Sequence, residues 1–380
     1  RQPDFSFVLT QRLVYSSFGL RTTLQVQMTM LQSVGLHSLL DENLNHSGAS
    51  VVDFPAKTGQ DAGRIQRMLE GDVDSEDLLK LLCRRSYQQR IEIVREFQKL
   101  FNKELGTEVC NLMPKDTELR RLLHFLVTPY DESLARELRD ALRDAKNVNT
   151  RALVGIIGTH KWRDLQKVRA TYERMHGRNL LQDLNRVKQP LRSGLLHILQ
   201  DDVENRPVMT SKARKHADFL TQTTLERGDE TTKVFMQAAC KYGLSHMRAV
   251  ELSRSRVSSE SIGHAATRLV GGPEGMLIAT RFQVALDEVG YYAETLHNVC
   301  QGMSTDHNVV IRILASRCSI DMVDIKTAFK SRFHQSLDQW IRGGTVGVYQ
   351  DGLIRLIKGN RSEVAKLSEG DTGKRGGVDD

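Results

Sequence analysis

Apolar positions along this chain fall on one face of a helix, and they do so in repeating cycles. Leu165, Val168 and Tyr172 are spaced i, i+3 and i+7, as are Met322, Ile325 and Phe329. Ile93 and Phe97 repeat the later part of that pattern. This spacing predicts amphipathic helices. A related segment begins at Met247 and then breaks into Ser253-Arg254-Ser255-Arg256. A shorter apolar segment precedes each of these helices. Its equivalent positions Leu82, Ile157, Ala239 and Leu314 lie 75, 82 and 75 residues apart. A third apolar helix follows, marked by Leu122-Leu123, Leu195-Leu196, Leu277-Ile278 and Leu353-Ile354. Four copies of one helical unit are therefore expected, each with a small core of its own and each docking on its neighbours.

The units are placed at residues 58–130, 131–203, 215–290 and 291–360. Residues 1–57 lack sustained periodicity and are expected to form a variable, mobile head. Residues 204–214 hold Asn205, Pro207 and a basic cluster and read as a linker between halves. Residues 361–380 carry Gly370, Gly373, Gly376 and Gly377 and are expected to be a disordered tail.

Composition supports the helical reading. Only 7 of the 380 residues are proline, and 39% are hydrophobic, enough to build a core. The formal charge of +7 favours phosphate-bearing partners, lipid or nucleic acid, but the basic residues form only short clusters such as Arg120-Arg121. The 5 cysteines include no Cys-x-x-Cys pair and sit in apolar stretches, so they read as core residues of a reducing compartment. The most apolar stretch, residues 24–40, is interrupted by polar side chains and is not read as a membrane span. The glycine-rich segments 271–275 and 343–347 follow no predicted strand and lack the Lys-Ser/Thr pair of a phosphate loop, so they read as turns. The 12 histidines form no His-Glu-x-x-His pattern, and no catalytic residue is assigned. Trp162 and Trp340 read as packing residues, with a membrane-facing role as the alternative for Trp340.

Between Asp61 and Gly359 the sequence resembles the annexin family. The fourth unit carries the resemblance best: residues 291–306, including Tyr292-Ala293-Glu294-Thr295-Leu296, look like the family's first helix and calcium loop, and residues 310–325 look like the next two helices. The resemblance implies an all-α fold of four annexin-type repeats of about five helices each, arranged as a curved disc. It also implies a calcium loop of the type (Met/Leu)-Lys-Gly-x-Gly-Thr in each repeat, with an acidic residue about 39 positions further on. Calcium takes six to eight hard oxygens, so loop carbonyls need that carboxylate to complete the shell.

This chain departs from the pattern in every unit. In the first, Glu70 and Asp72 stand at the glycine positions and residues 112–114 at the acidic one. In the second, residues 144–148 replace the loop and Val187 replaces the acid. In the third, residues 226–230 are a remnant and Leu269 or Val270 replaces the acid. In the fourth, Gly302 and Thr305 survive, Ser304 replaces the second glycine and Gly344 replaces the carboxylate. The residual metal candidates are Gly302, Ser304 and Thr305, and the acidic cluster Asp72, Asp74 and Glu76. The first reading of that cluster is a set of acids complementing a helix N-terminus. Calcium is expected to bind weakly or not at all. The resemblance then implies a non-enzymatic scaffold, cytoplasmic and peripheral at membranes, that associates with anionic phospholipid with little calcium dependence. A protein-partner scaffold and a nucleic-acid binder are the alternatives.

Overall fold

The computed structural model describes residues 48–365, apart from 56, 72–74, 113–116, 204–207, 224–226 and 302–304. Among the described residues there is no strand. The first unit holds α1 (Thr58–Glu70), α2 (Ser75–Cys83), α3 (Tyr87–Phe101), α4 (Leu105–Leu112) and α5 (Glu118–Leu126). The second holds α6 (Tyr130–Ala141), α7 (Thr150–Ile157), α8 (Trp162–His176), α9 (Leu180–Asp183) with a 3-10 turn (Leu184–Arg186), and α10 (Leu191–Gln200). The third holds α11 (Thr210–Thr223), α12 (Asp229–Cys240), α13 (Leu244–Arg254) and α14 (Ile262–Leu269), and closes with the first half of α15 (Gly272–Val299). Asp287 breaks α15 with non-helical φ −154° and ψ 80°. Its carboxylate accepts from the Gly290 N–H at 2.8 Å, which caps the second half. That half opens the fourth unit, followed by α16 (His307–Arg317), α17 (Met322–Phe333), α18 (Leu337–Gly344) and α19 (Gly347–Lys358).

The repeat extends to backbone detail. The long third helices α3, α8 and α17 end on left-handed residues, Asn102, Gly177 and His334, with φ of 51°, 60° and 55°. Each such residue turns the chain sharply into the next short helix. At its other end α3 carries a capping box: Ser86 Oγ accepts from the Gln89 N–H, and Gln89 Oε1 accepts from the Ser86 N–H.

The first and fourth units share one hydrophobic core that includes Leu79, Leu82, Leu122, Leu314, Leu353 and Ile357. Gly352 of α19 lies so close to α2 and α5 that a Cβ there would stand 2.5 Å from Leu79 Cδ2 and 2.9 Å from Leu122 Cδ2. The fully buried Arg90 joins the same units, donating to the carbonyls of Arg85 at 2.8 Å and Ala315 at 3.2 Å. The five cysteines are free thiols, with Cys83, Cys240 and Cys318 buried.

Three stretches carry more structure than the sequence pattern suggests. The linker assigned to residues 204–214 is partly helix: α11 begins at Thr210, and its Ala213, Ala217 and Leu220 are buried along one face. Residues 204–207 lie outside the described residues. The Ser-Arg run after Met247 coincides with the end of α13 at Arg254, yet it is not surface chain. Arg254 turns inward, is only 1% exposed, and donates to the Glu260 carbonyl. The head is not wholly mobile, because Val51 is buried and its N–H donates to the Cys318 carbonyl at 2.9 Å. Ser50 Oγ donates to the Leu356 carbonyl at 2.6 Å, and Asn360 pairs with Val52 through both side-chain atoms. Of the expected tail, residues 361–365 form one helical turn. Residues 1–47 and 366–380 lie outside the described residues.

Candidate functional site

Two segments of each unit matter here: the entry loop between the first and second helices, and the exit turn between the fourth and fifth. A calcium ion of the expected kind would join them. In three units a direct hydrogen bond joins them instead.

In the fourth unit Thr305 Oγ1 donates to the carbonyl of Gly344 at 3.1 Å, across a separation of 39 residues. That is the spacing at which the carboxylate was sought. A Cβ on Gly344 would stand 3.0 Å from the same Thr305 Oγ1. Asp306 caps α16 by accepting from the Val309 N–H at 3.3 Å, and its own N–H closes the loop onto Val299. Gly302 and Ser304 lie outside the described residues.

In the second unit the joining group is Arg186, which precedes the position of the missing acid. Its Nη1 donates to the Leu142 carbonyl at 2.6 Å and to the Arg143 carbonyl at 3.1 Å. Leu142 is the C-cap of α6, where unpaired carbonyls and the helix dipole favour a cation. The loop is otherwise self-contained: Asp144 accepts from the Lys146 N–H, and Asn149 caps α7 through the Ala152 N–H. The nearest carboxylate of the exit side, Asp183, is 3% exposed and already engaged. Arg178 grips it with bonds of 2.7 to 3.1 Å, and Tyr172 donates to it at 2.7 Å. The Arg178 guanidinium holds its carboxyl group well below the usual carboxylate range, at about 2. Val187 itself is buried in the core.

In the third unit Arg227 of the entry loop donates from Nε to the Arg268 carbonyl at 3.1 Å. Arg268 in turn pairs with Glu260. Leu269 is buried. In the first unit Asp72 and Asp74 lie outside the described residues. Glu76 sits in the first turn of α2 and pairs with Lys80 at 2.8 Å on an exposed surface.

The donor set therefore does not fit a family-type calcium ion in the second and third units. In each a guanidinium bridges entry loop and exit turn, and apolar side chains, Val187 in one and Leu269 or Val270 in the other, stand where the family's acid would. In the fourth unit the described side chain at the gap is a hydroxyl donor rather than an anionic acceptor. Among the described residues no group of three or more His, Cys, Asp or Glu side chains is placed to hold a metal ion. Trp340 is a packing residue: it stacks on His297 at 4.5 Å between ring centres and donates to that residue's carbonyl at 3.3 Å. The sequence had marked Val187 and Leu269 as replaced acids. The arginines that join loop to turn carry no such mark, although Arg186 adjoins Val187.

The family model for annexins matches residues 60–114 and 291–356, covering much of the first and fourth units. Mouse (Mus musculus) annexin A5 is 27% identical over 316 residues, covering 82% of this chain and 98% of that protein. The chain is thus similar to annexins over about four fifths of its length. Chicken (Gallus gallus) annexin A6 is 26% identical over 327 residues, but this chain spans only 48% of its length. The solved structure of annexin III superposes with a TM-score of 0.74 at 25% identity, covering 82% of this chain and 97% of that one. The all-α annexin repeat fold is thereby shown. In this chain the second and third repeats, unmatched by the family model, are also the ones in which arginine joins loop to turn.

Proposed function

We propose that this chain is a non-enzymatic scaffold, peripheral at anionic phospholipid membranes, whose association is set by basic charge and not by calcium. One observation carries this reading: the direct bonds of Thr305, Arg186 and Arg227 between entry loop and exit turn. Where the ion would bridge loop, acid and lipid phosphate, the protein closes the gap with its own side chains. Lipid attraction then falls to lysine and arginine, each contributing about 1 kcal/mol near an anionic surface. Similarity to annexins and the net charge of +7 support the lipid partner. Among the described residues no helix is long and apolar enough to cross a membrane, which agrees with a peripheral mode. A cytoplasmic location is part of the same proposal.

The test is vesicle pelleting with phosphatidylserine, with calcium or chelator, across a salt titration. Binding should weaken as salt rises and stay unchanged on chelation. Binding that requires micromolar calcium and is released by chelator would overturn the proposal. Salt-sensitive RNA binding without lipid binding would move the function to the nucleic-acid class.

A further inference from the structure

A cavity of about 610 Å³ opens where the first, second and fourth repeats meet. It lies at the loop ends of the helices: Asn149 and Asp306, which close the entry loops of repeats two and four, line it. Three arginines also line it, Arg120 and Arg121 from the first turns of α5 and Arg136 from α6. Among the described residues none of these three guanidinium groups has an ion pair or hydrogen bond. The cavity's acids are differently placed. Glu137 is bound to the buried Arg312, Asp140 pairs with Arg143, and Asp306 is engaged as a helix cap. His124 lies on the same cavity wall. Burial depresses its basicity to about 4, with Arg136 and Arg120 adding to the shift and Glu104 opposing it.

A second observation is independent of charge. Ser133 also lines the cavity, is only 8% exposed, and its hydroxyl has no hydrogen-bond partner among the described residues. A buried hydroxyl left without a partner costs stability unless something enters to meet it.

We propose that this cavity binds a small phosphate ester carrying two or more phosphoryl groups, held by Arg120, Arg121 and Arg136 with Ser133 donating at its base. Guanidinium forks match phosphate oxygens in pairs, and three unpaired forks call for more charge than one phosphate supplies. The volume is of the order that encloses a small organic ligand. Because the mouth lies at the loop ends, the phosphates can come from a soluble ester or from a lipid headgroup.

The experiment uses the full chain. Titration calorimetry with inositol 1,4,5-trisphosphate should give one site per chain. Arg120→Gln with Arg136→Gln should weaken it by at least about tenfold for each arginine lost, and Ser133→Ala by several-fold. Arg95→Gln with Arg163→Gln removes equal charge from exposed positions outside the cavity and should leave binding unchanged. Melting curves confirm that each variant is folded. No binding at millimolar ligand, no effect of Ser133→Ala, or equal loss in the charge control would each overturn the site. Vesicles of phosphatidylinositol 4,5-bisphosphate and of phosphatidylserine at equal charge identify the source. Preference for the former, competed by inositol trisphosphate, supports a headgroup. Trisphosphate binding with equal vesicle affinities supports a soluble ester.

Discussion

Arg186 Nη1 donates to two backbone carbonyls at once, those of Leu142 at 2.6 Å and Arg143 at 3.1 Å. A tethered guanidinium thus occupies the end of α6 that an exchangeable ion would otherwise share with the loop. Asp183 stands 3.9 Å from the same guanidinium. The geometry is permanent, since arginine keeps its charge throughout the accessible pH range.

Arg186→Ala should therefore destabilise the protein by about 1–2 kcal/mol, by stripping a charged donor from two carbonyls. Millimolar calcium should not restore the loss, because Val187 supplies no carboxylate. Thermal denaturation of the variant with calcium and with chelator checks both statements. Recovery with calcium would show that the loop retains an ion site beneath the arginine.

The fourth repeat invites the opposite experiment. Gly344→Asp with Ser304→Gly restores the family pattern and should create calcium binding there. The structure adds a condition: the new Cβ would stand 3.0 Å from Thr305 Oγ1, so that hydroxyl must rotate off the Gly344 carbonyl. Calorimetry with calcium chloride should show one new site in the double variant and none in the parent.

Acid should weaken the fold before its carboxylates titrate. Burial pushes His124, His160 and His246 down to about 4, against about 6.5 in the unfolded chain. Between those values the unfolded chain binds more protons, so their contribution is complete above about pH 6.5 and is lost as pH falls toward 4. Glu251 runs the other way. Burial lifts it to about 7, so it adds stability as pH falls through that value. Urea midpoints measured between pH 7 and pH 5 should fall in the parent and fall less steeply in His160→Gln. His160 is the clearest case, because its ring bonds the Ile156 carbonyl at 2.7 Å and the Tyr130 hydroxyl at 2.9 Å in the neutral form.

Two glycines should respond oppositely to alanine. Gly352→Ala forces a methyl against Leu79 and Leu122 and should cost about 1–3 kcal/mol, outweighing its helix propensity gain. Gly63, inside α1 with nothing within 4 Å of its Cβ position, should gain up to about 1 kcal/mol. Denaturant midpoints of the two variants measured together test the contrast.

The sequence revealed the repeat because Leu165, Val168 and Tyr172 write helical periodicity locally, and because Leu82, Ile157, Ala239 and Leu314 write it again at long range. It revealed the missing acids because those lie at a fixed spacing. It did not reveal α11, whose Ala213 and Ala217 are small and whose basic neighbours resemble a linker. Nor could it reveal Arg186 or Arg227. Their partners are backbone carbonyls more than forty residues away along the chain, and a carbonyl carries no residue type for a pattern to find. The three cavity arginines read as ordinary surface charge until folding brought Arg136 beside Arg120 and Arg121.

Within the short segment Ser50–Val52, Ser50 bonds Leu356 and Val52 bonds Asn360, 306 and 308 positions away. Contacts of such separation contribute little until most of the chain between them is ordered. On this count the segment docks late in folding, after the first and fourth repeats have found each other. The Val51 amide, bonded to the Cys318 carbonyl in a buried seam, then becomes an internal clock for solvent. Its hydrogen can exchange only when that seam opens, so its exchange rate measures how often the two ends of the array part company.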